Sequence, residues 1–297
     1  LTLGDGRVGV RTSVDGGLHW GAPRTVTPFS AFSYALSCAG AACLVDGFNE
    51  LTDGGWLARS TNGGRSWHVA ADPELDGAPS FLVALSCATA STCVAVNGTQ
   101  FGQMARTTDG GRTWTETTLH VSSDKFADTV QCMSPTLCLA LAATGDTRTR
   151  VTSHNAGASW STGTATTLRL GPTTLACSST GACLLAGALR PSGRVVVLRS
   201  SDAGVRWTHS AAPGASLGDT ISTLSASCPS ARSCVLVLGT PTRSEAFSTS
   251  DGARAWQRVA VPADAIDVAV ACGSTARCAG IGALLTGESI TLVDRRP

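Results

Sequence analysis

The sequence predicts an all-β fold made of one short unit that repeats along the chain, and three observations lead to this prediction. Six tryptophans recur 46 to 49 residues apart. Each closes a phrase of the general form Ser/Thr-x-Asp/Asn-x-Gly-x-x-Trp, called a box below. Each repeat also carries one pair of cysteines and several short apolar segments rich in β-branched residues. A fixed period in the forties that carries a turn motif indicates a repeat architecture.

One repeat is predicted to form four strands. Residues 81–86 are an apolar run (strand A), residues 94–97 follow the cysteine turn (strand B), residues 103–107 precede a box (strand C) and residues 113–117 follow it (strand D). Strands this short, with turn signals every 8 to 12 residues, are typical of an all-β protein. Four antiparallel strands in a repeat of this length form one blade of a β-propeller.

The boxes have a structural explanation. The Asp or Asn side chain accepts backbone N–H bonds within its own turn, the glycine supplies a positive φ, and the tryptophan brings a large apolar surface to the sheet. Asn62 and Asn155 replace the aspartate and Ala253 replaces the glycine, so weaker turns are expected there. The Asp or Asn and the Trp of the six boxes are Asp15 and Trp20, Asn62 and Trp67, Asp109 and Trp114, Asn155 and Trp160, Asp202 and Trp207, and Asp251 and Trp256.

The sequence leaves the number of blades between six and seven. The C-terminal part supplies strands A, B and C at residues 267–272, 278–283 and 289–293, and the N-terminal part supplies strands C and D at residues 7–11 and 18–21. In a six-bladed ring the N-terminal strand D completes the last blade and one strand C is surplus. We favour seven blades with an incomplete first blade, because every N-terminal piece matches the repeat. The whole chain then forms a single propeller domain.

The twelve cysteines predict one local disulfide in each blade. The two members of a pair lie five or six positions apart, whereas zinc knuckles are tighter and need a second pair or histidines nearby. Closing such a loop stabilises a chain by about 2 kcal/mol in the loop-entropy account. Six disulfides indicate an oxidising compartment, so we expect a secreted or cell-surface protein. The pairs are Cys38/Cys43, Cys87/Cys93, Cys132/Cys138, Cys177/Cys183, Cys228/Cys234 and Cys272/Cys278.

The composition excludes several classes of function. The formal net charge is +1, and no stretch is strongly basic, which argues against nucleic-acid binding and against anionic membrane surfaces. The longest apolar runs have the length of strands, so no membrane insertion is expected. No nucleotide loop, Ser-His-Asp signature or metal-ligand cluster is present, and we therefore expect no metal and no cofactor. We expect a monomer.

With six boxes in register over essentially the whole chain, the sequence resembles the Asp-box (bacterial neuraminidase repeat) β-propellers. That group includes sialidases, xyloglucanases, sortilin-type receptors and photosystem assembly factors, and the most similar class is uncharacterised secreted actinobacterial proteins of this repeat. The resemblance implies that the functional site lies on the face opposite the boxes. That face carries the D–A and B–C loops, which vary between repeats, as expected where a scaffold and a site are separate.

The variable loops predict an acidic, aromatic-rich sector in the first three repeats and an opposite sector with arginines such as Arg148 and Arg243. Exposed aromatics beside carboxylates would bind a sugar or a peptide; alternatively, the aromatics pack between blades and the acids are ordinary solvated loop residues. The ligand-binding candidates are Phe32, Tyr34, Phe48, Trp56, Asp72, Glu74, Asp76, Asp124 and Asp128. The catalytic candidates are Tyr34, Asp46, Glu50, Asp72, Glu74, Asp76 and Asp128.

Three classes of function remain open. The sialidase resemblance implies a Tyr nucleophile, an Asp acid/base and three arginines, but the Arg-Ile-Pro signature that precedes the first box in that family is absent. Another glycosidase would need two carboxylates at a defined separation. A non-catalytic binding or scaffold propeller, with a glycan or an extracellular protein as its partner, is the favoured hypothesis, and an assembly factor for a protein complex is the third.

Overall fold

The computed structural model is an all-β propeller of six blades, each a four-stranded antiparallel sheet. It describes residues 7–15, 21–22, 24–49, 51–52, 54–70, 74–75, 78–79, 82–97, 103–119, 126–145, 147–167, 170–189, 192, 194–214, 221, 223–240, 242–261, 265–275, 277–284, 289–290 and 294–295. These residues contain no helix, so none of them forms a helix that could cross a membrane.

The strands follow one another blade by blade along the chain. The first two are β1 (Arg7–Val14) and β2 (Arg24–Ser30). Blade 1 contains β3 (Phe32–Ala39), β4 (Ala42–Asn49), β5 (Gly54–Ser60) and β6 (His68–Ala70). A two-stranded sheet of β7 (Glu74–Leu75) and β8 (Ala78–Pro79) follows. Blade 2 contains β9 (Leu82–Cys87), β10 (Cys93–Asn97), β11 (Gln103–Thr107) and β12 (Thr115–Thr118).

Blade 3 contains β13 (Phe126–Cys132), β14 (Cys138–Thr144), β15 (Thr147–Ser153) and β16 (Ser161–Thr167). Blade 4 contains β17 (Leu170–Cys177), β18 (Cys183–Leu189), β19 (Val195–Ser200) and β20 (Thr208–Ser210). Blade 5 contains β21 (Thr223–Ser227), β22 (Cys234–Gly239), β23 (Ser244–Thr249) and β24 (Gln257–Val259). The last strands are β25 (Ala265–Ser274), β26 (Arg277–Leu284), β27 (Ser289–Ile290) and β28 (Asp294–Arg295).

The prediction of seven blades is wrong, because β1 and β2 complete blade 6. Strand β1 pairs with β26, where Arg11 faces Gly280 and Thr12 faces Ala279, and β2 pairs with the other edge of β1. The N-terminal strand therefore takes the strand C position. The surplus strand is β27, which pairs with Gly282 and Ala283 near the end of β26. Strand β28 pairs in parallel with β1. The predicted N-terminal strand D at 18–21 lies mostly outside the described residues, and β2 supplies that strand instead.

Side chains from adjacent blades share the apolar core. Strand β10 is buried along its whole length, as expected for a strand covered on both faces by neighbouring blades. Hydroxyl groups also connect the inner strands: Ser37 Oγ accepts the N–H of Cys87 at 2.9 Å, and Ser86 Oγ accepts the N–H of Cys132 at 2.8 Å. Each such bond contributes about 1 kcal/mol, so the blades are held by polar as well as apolar contacts.

The box turns have the predicted chemistry. Asp109 Oδ1 accepts the N–H groups of Arg112 and Thr113 at 2.9 and 3.0 Å. In the five boxes that the structure describes in full, the fourth and fifth residues both have positive φ, as at Gly110 (76°) and Gly111 (81°). Ala253 adopts the same region (66°) and its N–H still donates to a box threonine at 3.1 Å. The box with Ala253 thus keeps the turn geometry; that the substituted turns are weaker stays a prediction.

All six predicted disulfides are present. In blade 2, Cys93 faces both its partner Cys87 and Thr107, the first residue of the box. The disulfide turns and the boxes therefore share one face of the ring, called the box face. The D–A and B–C connections lie on the other, called the loop face.

Candidate functional site

The inner strands carry an extra residue at one recurring position near the loop face. The strand register shifts by one residue at Tyr34 in blade 1, at Val83 in blade 2 and at Asp128 in blade 3. Each of these lies four positions before the first cysteine of its blade. Blade 6 has a register shift at 267–268, and blade 4 has one at 171–172, slightly earlier in its inner strand. Such β-bulges re-aim side chains and are common beside functional sites, so this ring of positions, called the bulge ring, is a candidate site.

Val83 shows what a bulge does to exposure. Its side chain is 41% exposed although it lies in an inner strand, between the buried Leu82 and the partly buried Ala84. A single exposed apolar side chain is common on protein surfaces, so Val83 is of interest because of its position at the bulge. Tyr34, at the equivalent position of blade 1, is in strand β3, but its side chain lies outside the described part of the structure.

Asp46, a catalytic candidate, lies inside the ring and connects two blades. Its Oδ1 accepts the N–H of Ala35 at 3.0 Å, and its Oδ2 accepts the N–H of Leu82 at 2.8 Å. These two N–H groups adjoin the bulges of blades 1 and 2. The carboxyl group is 1% exposed, and burial raises its pKa well above the ordinary value, against the lowering effect of the N–H donors. Its contacts are those of a structural residue.

Asp128 belongs to a buried polar cluster at the junction of blades 3 and 4. Its Oδ2 lies 3.0 Å from Arg148 Nε and accepts a hydrogen bond from Thr173 at 3.2 Å. Arg148 also donates to the carbonyl of Gly145 at 2.9 Å. Burial raises the pKa of Asp128, and the positive charge of Arg148 opposes that effect. The carboxylate thus has a charge partner, and its other oxygen, Oδ1, is buried without a hydrogen bond among the described residues.

This pair corrects one expectation about charge. Asp128 was assigned to an acidic sector and Arg148 to a basic sector opposite, yet both belong to blade 3 and form an ion pair. Glu245 and Arg258 form a second pair at 3.0 Å in blade 5. At these two places, an acidic and a basic side chain of the same blade therefore neutralise each other's charge.

The aromatic residues of the predicted platform differ in their exposure. Trp56 is 3% exposed and packs in a core cluster with Val10, Val45 and Ala271, so it lies between blades, as the alternative interpretation held. Phe48 is half-buried. The remaining candidates fall wholly or by their side chains outside the described residues: Phe32, Tyr34, Glu50, Asp72, Glu74, Asp76 and Asp124.

Sequence reasoning missed the grooves between blades on the box face. One of about 280 Å³ lies between blades 1 and 2 (groove 1–2) and one of about 390 Å³ between blades 4 and 5 (groove 4–5). A third of about 500 Å³ lies between blades 5 and 6 (groove 5–6) and includes Asp15 and Asp251. The sequence does contain a signal for the first two: an arginine directly before one box and a second arginine inside the next.

Comparison with solved structures supports the fold. YCF48 from Cyanidioschyzon merolae aligns with a TM-score of 0.56 and 12% identity over 91% of this chain and 97% of its own. The Hadza microbial sialidase Hz136 aligns with a TM-score of 0.61 and 13% identity over 90% and 70%. A Dyadobacter fermentans protein of unknown function aligns with a TM-score of 0.63 and 11% identity over 97% and 98%.

At these identities the likeness defines a class of protein by its fold: a β-propeller similar in shape to sialidases and to YCF48. No protein-family model matches the chain, and no curated protein matches it in sequence. Family membership and function therefore rest on the residues themselves.

Proposed function

We propose that this chain is a secreted or cell-surface, non-catalytic propeller of the Asp-box class that binds a glycan or an extracellular protein on its loop face. The observation that carries the proposal is the bulge ring. A rigid scaffold places a different residue type at the same strand position of successive blades, namely Tyr34, Val83 and Asp128. Variation at fixed positions of a rigid frame suits selective binding.

The described carboxylates favour binding over catalysis. A glycosidase needs one carboxyl group to donate a proton and a second carboxylate to act as base or nucleophile. Both oxygens of Asp46 accept backbone N–H groups, and Asp128 is paired with Arg148. A glycosidase in this chain would instead use Tyr34, Glu50 or the acidic segment at 72–76, and it is the alternative to be tested.

The structural neighbours support both kinds of partner. One solved structure is of YCF48 bound to D1 peptide, and another neighbour is a sialidase. The first favours a protein partner or an assembly role, the second a glycan. The six disulfides support the extracellular location, because such bridges persist in oxidising surroundings.

Binding to a panel of glycans and secreted proteins tests the proposal. Val83→Asp on the loop face is compared with Val205→Asp on the box face, since both valines are exposed, at 41% and 53%. We expect the first to weaken binding at least about tenfold, by placing a charge in an apolar contact, and the second to leave it unchanged. Equal effects of the two changes would refute the choice of face.

Three further experiments address the acidic loop, catalysis and an assembly role. Replacing Asp72, Glu74 and Asp76 together by Ala abolishes binding but not folding if the acidic loop contributes to the site; unchanged binding removes that loop from it. A screen on fluorogenic glycosides addresses catalysis: turnover that disappears with one carboxylate substitution would replace the binding proposal by a glycosidase. An assembly factor would co-purify with a defined complex and show no glycan affinity.

A further inference from the structure

Two of the box-face grooves have the same basic lining. In groove 1–2, Arg59 precedes the box of blade 1 and Arg112 belongs to the box of blade 2. In groove 4–5, Arg199 and Arg254 hold the equivalent places. Among the described residues, no Asp or Glu lines either groove. Blades 1–2 and 4–5 are three blades apart, so the two grooves lie on opposite sides of the ring axis and open on the same face.

The equivalent position in blade 2 shows that this arrangement is not a consequence of the fold. There Arg106 donates its Nε–H to the carbonyl of Ala156 at 2.8 Å, and the next box has Ala158 where Arg112 stands. In groove 1–2 the Nε of Arg59 is buried and has no hydrogen-bond partner among the described residues. Arg106, whose groove lacks the second arginine, is thus bound to backbone, whereas the Nε of Arg59, whose groove has both arginines, lacks an acceptor in the described part of the chain.

We propose that grooves 1–2 and 4–5 bind the carboxylate or sulfate groups of an anionic polysaccharide, at a site separate from the loop face. Guanidinium groups match carboxylate and sulfate oxygens in geometry and charge. The second arginine of each groove is positioned in advance: Arg112 Nη1 donates to the carbonyl of Asp109 at 2.6 Å, and Arg254 Nη1 to that of Asp251 at 2.9 Å. This leaves their other N–H groups for a ligand.

The rest of the lining favours a sugar chain over an acidic peptide. The lining of each groove includes hydroxyl groups, and hydroxyls can exchange hydrogen bonds with a polyhydroxylated ligand. Groove 1–2 also includes the half-buried ring of Trp67, an apolar surface of the kind that packs against a sugar ring. The hydroxyl-bearing residues are Ser60, Thr61, Ser66 and Thr89 in groove 1–2, and Ser200, Ser201, Thr208 and Ser230 in groove 4–5.

Two equivalent sites predict bivalent binding. A polymer with repeated anionic groups can engage both grooves at once, and the second contact is then intramolecular. Groove 5–6 is an internal contrast, since it has the same position between blades, but its described lining includes Asp15 and Asp251 and no basic side chain. A polyanion should avoid it.

Affinity for polygalacturonate and dextran sulfate, with neutral dextran and poly-glutamate as comparisons, tests the proposal. Arg59→Gln and Arg199→Gln should each weaken binding to the anionic polysaccharides about tenfold, and together about a hundredfold or more. The matched control is Arg206→Gln, which removes a charge from the same face at a side chain that is 87% exposed. If Arg59→Gln disturbs folding, Arg112→Gln replaces it, because the Arg112 side chain is exposed.

Each outcome decides the question. Losses in the groove variants with none in the control support the site. Equal losses in the control show unspecific attraction to a basic surface and overturn it. Binding of poly-glutamate as tight as that of polygalacturonate overturns the assignment to sugars and indicates an acidic peptide. None of these results bears on the loop face, where Val83→Asp supplies the separate test.

Discussion

Asp46 gives the sharpest test of how adjacent blades are joined. Its two carboxylate oxygens accept the N–H groups of Ala35 and Leu82, at 3.0 and 2.8 Å, from the inner strands of blades 1 and 2. Asp46→Ala removes both acceptors and leaves two backbone donors without partners in the interior. A buried donor without a partner costs about 1–3 kcal/mol, so the free energy of unfolding should fall by about 2–6 kcal/mol.

Asp46→Asn refines the test. The amide has one oxygen, so it can serve one N–H, while its NH₂ group faces the other donor. The loss should therefore be at least about 1–3 kcal/mol. Asp109→Asn is the matched control, because it is the same chemical change in an exposed box, where Asn62 and Asn155 occur naturally and make the same turn. It should change stability by less than about 1 kcal/mol.

Urea unfolding followed by tryptophan fluorescence measures all three variants, with the midpoint and the slope analysed separately. A drop in midpoint at constant slope is the expected result for Asp46→Ala. If that variant unfolds within about 0.5 kcal/mol of the parent, the carboxylate does not bridge the blades. An equal cost for Asp46→Asn and Asp109→Asn would likewise contradict the reasoning.

Three further predictions concern the boxes and the disulfides. Gly157→Ala should lower the free energy of unfolding in urea by about 2–4 kcal/mol, because its φ is 82° and the new Cβ would lie 2.7 Å from a valine methyl group of the preceding blade. Gly63→Ala, whose new Cβ would have nothing within 4 Å, should lower it by only about 1 kcal/mol. An equal loss in the two variants would exclude the packing explanation. Desolvation acts to raise the pKa of Asp109, but the hydrogen bonds from Thr113 and other box residues together outweigh it and hold the pKa below its ordinary value. The ionised Asp109 therefore stabilises the fold at pH values above its unfolded-state pKa, near 4, and this contribution is lost as the pH falls through the lower folded-state pKa. Asp109→Asn should accordingly flatten the acid side of a Tm-against-pH curve. An unchanged curve would contradict this. Replacing both Cys87 and Cys93 by Ala should lower stability by about 2 kcal/mol while circular dichroism shows an intact fold; no change in the urea midpoint would contradict that contribution.

The local features of the fold could be predicted from the sequence because their causes are local. The cysteine pairs close turns of six or seven residues, and each box makes its own hydrogen bonds. Strand C of blade 2 was placed at 103–107, where β11 lies. The blade count was not predictable in this way. The N-terminal strand matches strand C in either ring, and only its pairing with β26, about 270 residues away, decides for six.

The candidate site shows the same limit. Asp46 has the sequence context of a loop carboxylate, but it lies buried in β4 and accepts the N–H of Leu82, beside the bulge of the next blade. Asp128 and Arg148 look like members of separate charge sectors until the sheet brings them together. Sheet register and the contacts between blades determine these roles, and a single strand pattern contains neither.

The most direct test of the central claim is a hydrogen-exchange footprint of a bound ligand. The ligand is one from the glycan and protein panel that carries no net negative charge, so that the basic grooves are not engaged. The proposed function predicts slowed exchange at the start of the inner strands of blades 1 to 3, around 33–36, 82–85 and 126–130, with the boxes unchanged. Slowed exchange confined to the boxes, with the inner strands unaffected, would contradict binding through the loop face.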